Sequence, residues 1–72
     1  MDEPSERILK LFAQMNSDTL DLHTLLEAGG NDPQARTEVI DLVARFVSEG
    51  LLEEHGSDFY AITAKGRAAI DN

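Results

Sequence analysis

Seventy-two residues carry fourteen acidic and six basic side chains, a formal charge of −8 at pH 7. A chain of this length reads as one small domain, 1–72, that buries about 60% of its unfolded surface, which leaves a thin core and little room for a deep substrate pocket. With no cysteine in the chain, disulfide staples, thiolate metal sites and cysteine nucleophiles are excluded together. The 42% apolar content is ordinary for a globular protein and too high for a disordered acidic tail. No apolar run approaches the roughly 18 residues of a membrane span, and no signal peptide precedes the first helix, so a soluble cytoplasmic protein is expected. The negative charge argues against indiscriminate attraction to nucleic acid or anionic membrane, because phosphate binding needs surplus Lys and Arg.

The first predicted element is a helix from Glu3 to Met15. Ile8, Leu11, Phe12 and Met15 fall at i, i+3, i+4 and i+7 and make one apolar stripe. Pro4 suits a first turn, Asp2 or Ser5 is the expected cap, and Glu3–Arg7 and Glu6–Lys10 are i,i+4 pairs with the acid first. Asn16-Ser17-Asp18 breaks the pattern. Leu20 then fits a short extended segment. Leu22, Leu25 and Leu26 mark a second helix capped by Asp21 and ended by Gly29-Gly30. Asn31-Asp32-Pro33 opens the next, with Asp32 as N-cap and Pro33 at N1.

The third helix is predicted from Pro33 to Glu49, with Gly50 just past its end. Val39, Leu42, Val43 and Phe46 form its buried stripe, widened by Ile40 and Val47, while Gln34, Thr37, Glu38, Asp41, Arg45 and Ser48 face outward. After Gly50 the period changes. Leu51–His55 and Phe59–Thr63 read as two strands joined by Gly56-Ser57-Asp58, a hairpin that must pack on the helices to persist. Thr63 caps a last helix, Ala64 to Ile70, weakened by Gly66. The expected architecture is α+β and mainly helical.

This order of elements resembles the winged helix-turn-helix family of transcriptional regulators, over roughly Ile8 to Ile70. Its most specific part is Val47-Ser48-Glu49-Gly50-Leu51-Leu52, the end of a third helix followed by Gly-Leu-Leu. The stretch Tyr60-Ala61-Ile62-Thr63-Ala64-Lys65-Gly66-Arg67 is similar to the Tyr-x-Leu-Thr-x-Lys-Gly-Arg signature closing the wing in many such proteins. The resemblance implies a three-helix bundle with a two-stranded wing and a short last helix. It would make Pro33–Glu49 the recognition helix and His55–Asp58 the wing tip. The third helix is somewhat longer than in the shortest members. Carried onto this chain, the base-reading candidates are Gln34, Arg36, Thr37 and Glu38, Gln and Arg being able to bridge adenine and guanine edges. His55 and Ser57 are the wing candidates. Arg45, Lys65 and Arg67 complete the set that would meet DNA.

The charge is unevenly spread. Residues 1–32 hold seven acids and two bases, residues 33–49 three and two, and residues 50–72 four and two. Arg7, Lys10, Arg36 and Arg45 each have an acid four residues earlier, Glu3, Glu6, Asp32 and Asp41, whereas Lys65 and Arg67 do not. Exposed pairs of that kind are worth only about 0.3–0.5 kcal/mol, so an Arg can exchange its partner for a phosphate. The wing has Glu53, Glu54 and Asp58 and no Lys or Arg. Because strongly salt-dependent complexes neutralise roughly 6–10 phosphates, DNA binding calls for a homodimer on symmetric half-sites. Three explanations of the acidity stand side by side. The chain is a DNA-binding regulator with an acidic back face, or a winged-helix module that binds a protein partner through the third helix and wing, or a member of a proteome adapted to high salt.

No enzymatic constellation emerges. His23 and His55 are too few and too far apart for a metal site. Glu53 and Glu54 are adjacent in a strand and point to opposite faces, so they cannot share a reacting atom. Thr63 has no base oriented towards it and reads as a helix cap. Gly29-Gly30 lacks the Lys-Ser/Thr of a phosphate loop. No enzyme activity, cofactor or metal is expected. Phe12, Phe46, Phe59 and Tyr60 are candidate core, but Phe59 and Tyr60 alternate, and the outward one is a candidate partner or dimer contact.

Overall fold

The structure is a computed structural model that describes residues 3–30 and 32–70. Asp2, one expected cap, and Asn31, expected at the start of the third helix, lie outside the described residues. In chain order, Glu3–Gln14 forms α1, Thr19–Asp21 β1, Leu22–Gly29 α2, Pro33–Ser48 α3, Leu52–His55 β2, Phe59–Ile62 β3 and Ala64–Ile70 α4. The fold is mainly helical α+β, as the periodicity predicts.

Two helix ends follow one pattern. At the end of α3, Gly50 adopts φ +80, its N–H donates to the Val47 carbonyl at 3.2 Å, and the Leu51 N–H donates to the Phe46 carbonyl at 2.8 Å. This is a Schellman closure, with buried Leu51 and Phe46 supplying its apolar contact. Asn16, at φ 51, does the same for α1, with Ser17 N–H donating to Phe12 O at 3.0 Å and Asn16 N–H to Ala13 O at 3.1 Å. The helix therefore stops before Met15, which is 51% exposed rather than part of the stripe. The face that α1 buries is Ile8, Leu9 and Phe12, with Leu11 only half-buried. Ser5 is buried inside α1 instead of capping it.

Asp32 accepts from the Ala35 N–H at 2.9 Å and Pro33 occupies the first turn, so the predicted start of α3 is observed. Asp21 has the extended backbone of an N-cap but makes no capping bond; its Oδ1 instead accepts from Thr24 Oγ1 at 2.6 Å.

The expected two-stranded hairpin is part of a three-stranded antiparallel sheet in the order β1-β3-β2. Leu20 stands opposite Tyr60, and on the other side of β3 Glu54 stands opposite Tyr60 and Leu52 opposite Ile62. Bonds from Leu22 N–H to Asp58 O (2.8 Å) and from Ile62 N–H to Asp18 O (2.9 Å) extend the β1–β3 ladder beyond both ends. A three-residue strand whose partner lies about forty positions later has no local signature beyond one apolar residue. Leu51 and Thr63, expected in strands, sit just outside them.

Alternation puts Leu20, Leu52, Glu54, Tyr60 and Ile62 on the helix-facing side of the sheet, and Thr19, Asp21, Glu53, His55, Phe59 and Ala61 on the other. Of the first set, Leu20, Leu52 and Ile62 join Ile8, Leu9, Phe12, Leu25, Leu26, Val39, Leu42, Val43 and Phe46 in the core, Tyr60 packs half-buried against it, and Glu54 stays exposed. Each large apolar side chain so buried is worth about 1.5–3 kcal/mol. Phe59 is 51% exposed on the outer side, so of the two adjacent aromatics it is Tyr60 that packs on the core.

Glycine allows two close approaches. A Cβ on Gly29 would collide with Val39 Cγ2, so α2 reaches α3 only without a side chain there. A Cβ on Gly66 would collide with the Leu51 carbonyl and lie 2.8 Å from Ile62 Cγ1. The residue expected to weaken α4 is thus the one that lets α4 dock.

Candidate interaction surface

The exposed side of α3 divides into three strips. Gln34, Thr37, Asp41, Ala44 and Ser48 recur at spacings of three and four and are all exposed, so they form the outermost stripe. Thr37 donates its hydroxyl to Pro33 O at 3.0 Å, which leaves its oxygen lone pairs facing solvent as acceptors. Glu38 and Arg45 lie on the flank towards α1, where both line a shallow cleft with Pro4, Asp41 and Leu42. Ile40, Val43, Ala44 and Val47 form the opposite flank, towards the sheet.

Arg36 and Arg45 are nine residues apart, about two and a half helical turns, and therefore project from opposite sides of α3. No ion pair joins Arg36 to Asp32 or Arg45 to Asp41, and among the described residues both Arg side chains are unpaired. The Asp32 carboxylate is turned to the helix N-terminus as a cap instead. The Glu3–Arg7 and Glu6–Lys10 pairs are formed, at 3.4 and 3.8 Å.

The two bases without a local acid are the ones that tertiary structure occupies. Arg67 Nη2 pairs with Asp18 Oδ1, and Lys65 Nζ donates at 2.8 Å to the carbonyl of Glu49, the residue that caps the end of α3. Local spacing thus suggested partners for Arg36 and Arg45 that the structure does not join, and it carried no sign of the tertiary partners of Lys65 and Arg67. Backbone direction at a cap and the docking of α4 decided the pairing, and neither is visible at i,i+4.

The hairpin end is acidic. His55 closes β2 with its Nε2 3.2 Å from Glu53 Oε1, and Ser57 is exposed in the turn. Glu53, Glu54 and Asp58 are also exposed there. His23, on α2, lies 2.9 Å from Glu27 Oε1.

Between α3 and the sheet lies an open groove of about 290 Å³, lined by Leu22, Ile40, Val43, Ala44, Val47, Glu54 and Tyr60. Ile40 is 49% exposed at its rim. Burial, followed by the negative charges of Glu54 and Asp58, raises the Tyr60 phenol above its ordinary value. Only the width of the apolar stripe on α3, in which Ile40 and Val47 exceed what a buried face needs, hints at this groove in the sequence. Among the described residues no helix is long and apolar enough to cross a membrane. No protein-family model, curated protein or solved structure matches this chain.

Proposed function

We propose that this chain is a winged-helix protein of the transcriptional-regulator type whose α3 and wing surface binds a protein partner. The observation that supports a protein partner is the placement of the bases. Lys65 and Arg67 are held by Glu49 O and Asp18, Arg36 and Arg45 leave α3 on opposite sides, and the stripe between them carries Asp41. A phosphate backbone approaching that stripe meets one central carboxylate and an acidic hairpin, without the run of cations that neutralises it. The apolar groove beside the stripe is a feature that protein interfaces use and nucleic acid does not.

A second reading is sequence-specific binding of duplex DNA by a homodimer. It draws on the exposed Gln34 and Thr37 in the first turns of α3 and on Arg36 and Arg45, unpaired among the described residues, four of the residues expected to meet DNA.

Anisotropy of labelled random-sequence and genomic duplexes at low salt separates the two. The protein-partner reading expects no binding at tens of micromolar, a concentration at which non-specific DNA binders with affinities of roughly 10⁻⁴–10⁻⁶ M begin to register. Saturable, salt-dependent binding that disappears in the Gln34→Ala, Arg36→Ala double variant overturns it and installs the DNA reading.

A further inference from the structure

Taking the protein-partner reading as its basis, we propose that the groove between α3 and the sheet receives the apolar anchor of a cationic peptide segment, with Glu54 facing a Lys or Arg beside that anchor. The groove has an apolar floor and wall, from Leu22, Val43, Val47 and Ile40, and a carboxylate at one edge. At about 290 Å³ it lies at the bottom of the roughly 300–1,000 Å³ usual for small-molecule pockets. It suits one or two large side chains presented by a longer chain, which is how hot-spot residues fill interface pockets.

Charge selects the occupant. Among the described residues no Lys or Arg lines the groove, and the hairpin beside it carries Glu53, Glu54 and Asp58. The negative potential reaches the floor, because Glu54 and Asp58 both oppose ionisation of Tyr60. A second copy of this chain is a poor occupant. Its formal charge is also −8, and a two-fold contact through the groove would bring the hairpin acids of both copies towards each other. Arg36 stands one turn before Ile40 on α3 but outside the groove lining, so the charged side chain that an occupant meets within the groove is Glu54. The occupant's cation therefore points to the hairpin end.

The test is an amide and methyl NMR titration of the full chain with four probes. These are an amphipathic peptide of Leu and Lys, the same peptide with Lys replaced by Glu, the same with Leu replaced by Ser, and a random-sequence duplex. The inference expects the Leu/Lys peptide alone to bind, shifting Leu22, Ile40, Val47 and Tyr60. Ile40→Ser, Ala44→Lys and Glu54→Lys should each weaken it about tenfold, while Glu27→Gln, on α2, leaves it unchanged. Ile40 and Ala44 are exposed, so these variants retain the fold.

Binding that persists without the Leu anchors, or that Ile40→Ser leaves unaffected, overturns the groove assignment and reduces the contact to diffuse charge attraction. Absence of binding at millimolar Leu/Lys peptide also overturns it. Either result leaves a protein partner at another part of the surface open. Duplex DNA shifting the same α3 residues instead overturns the protein-partner reading itself.

Discussion

Gly66 lies so close to Leu51 that its missing Cβ is the condition for α4 to pack where it does. A Cβ there would overlap the Leu51 carbonyl oxygen, a backbone atom that is itself held by the Thr63 N–H at 3.1 Å. Backbone held in this way cannot yield as a flexible side chain would.

Gly66→Ala is therefore expected to destabilise, although helix propensity alone favours Ala by about 0.5–1 kcal/mol. Overpacking of a close contact costs about 1–3 kcal/mol, and the net effect should be a lower urea midpoint with an unchanged m-value. A midpoint equal to or above wild type would mean that α4 shifts freely and that the contact has no structural weight.

Thr63 ties three segments with one side chain. Its hydroxyl contacts the carbonyls of Gly50 at 2.6 Å and Leu51 at 3.1 Å, and accepts from the Gly66 N–H at 3.0 Å. Thr63→Val keeps the volume and loses the cap, at a cost of about 1–2 kcal/mol, and Thr63→Ser should recover most of it. A Thr63→Val as stable as wild type beside a destabilised Thr63→Ser would trace the role of Thr63 to its methyl group instead.

The Arg67–Asp18 pair links α4 to the loop before β1 and is exposed on both sides. A double-mutant cycle with Asp18→Ala and Arg67→Ala should give a coupling of about 0.2–1 kcal/mol, weakened by salt. Asp18→Ala also frees a cation. If the DNA reading holds, that variant gains affinity for duplex; under the protein-partner reading it gains none.

Asp21 predicts an acid-side pH effect. Its bond from Thr24 holds the carboxyl below the ordinary aspartate value against a smaller opposing desolvation, with minor lowering from backbone N–H groups and His23. A depressed folded pKa means that the stabilisation is complete above the unfolded value, about 3.9, and is lost as pH falls through the folded one. Carboxyl-carbon NMR titration should place Asp21 below the usual aspartate range and Thr24→Val should raise its midpoint. An unmoved midpoint in that variant would exclude the hydroxyl as the cause.

What the chain order determined alone is the set of local elements. The stripe Val39, Leu42, Val43, Phe46, the Asp32-Pro33 start and the Gly50 stop of α3 all express interactions within one or two helical turns, and all appear as expected. The hairpin was legible for the same reason, since its turn and alternation are contiguous. Tertiary structure decided whatever depends on distant backbone. It recruited Leu20 into a third strand across from Tyr60, turned Phe59 outward, and made Gly66 a contact point with Leu51. It also settled which charges are free. Arg67 reaches Asp18 across 49 positions and Lys65 reaches the end of α3, while Arg36 and Arg45 lose the partners that spacing suggested. A charge of −8 is a sum, and sums carry no geometry. In the fold it becomes two Arg, unpaired among the described residues, on opposite sides of one helix, beside an apolar groove with an acidic rim.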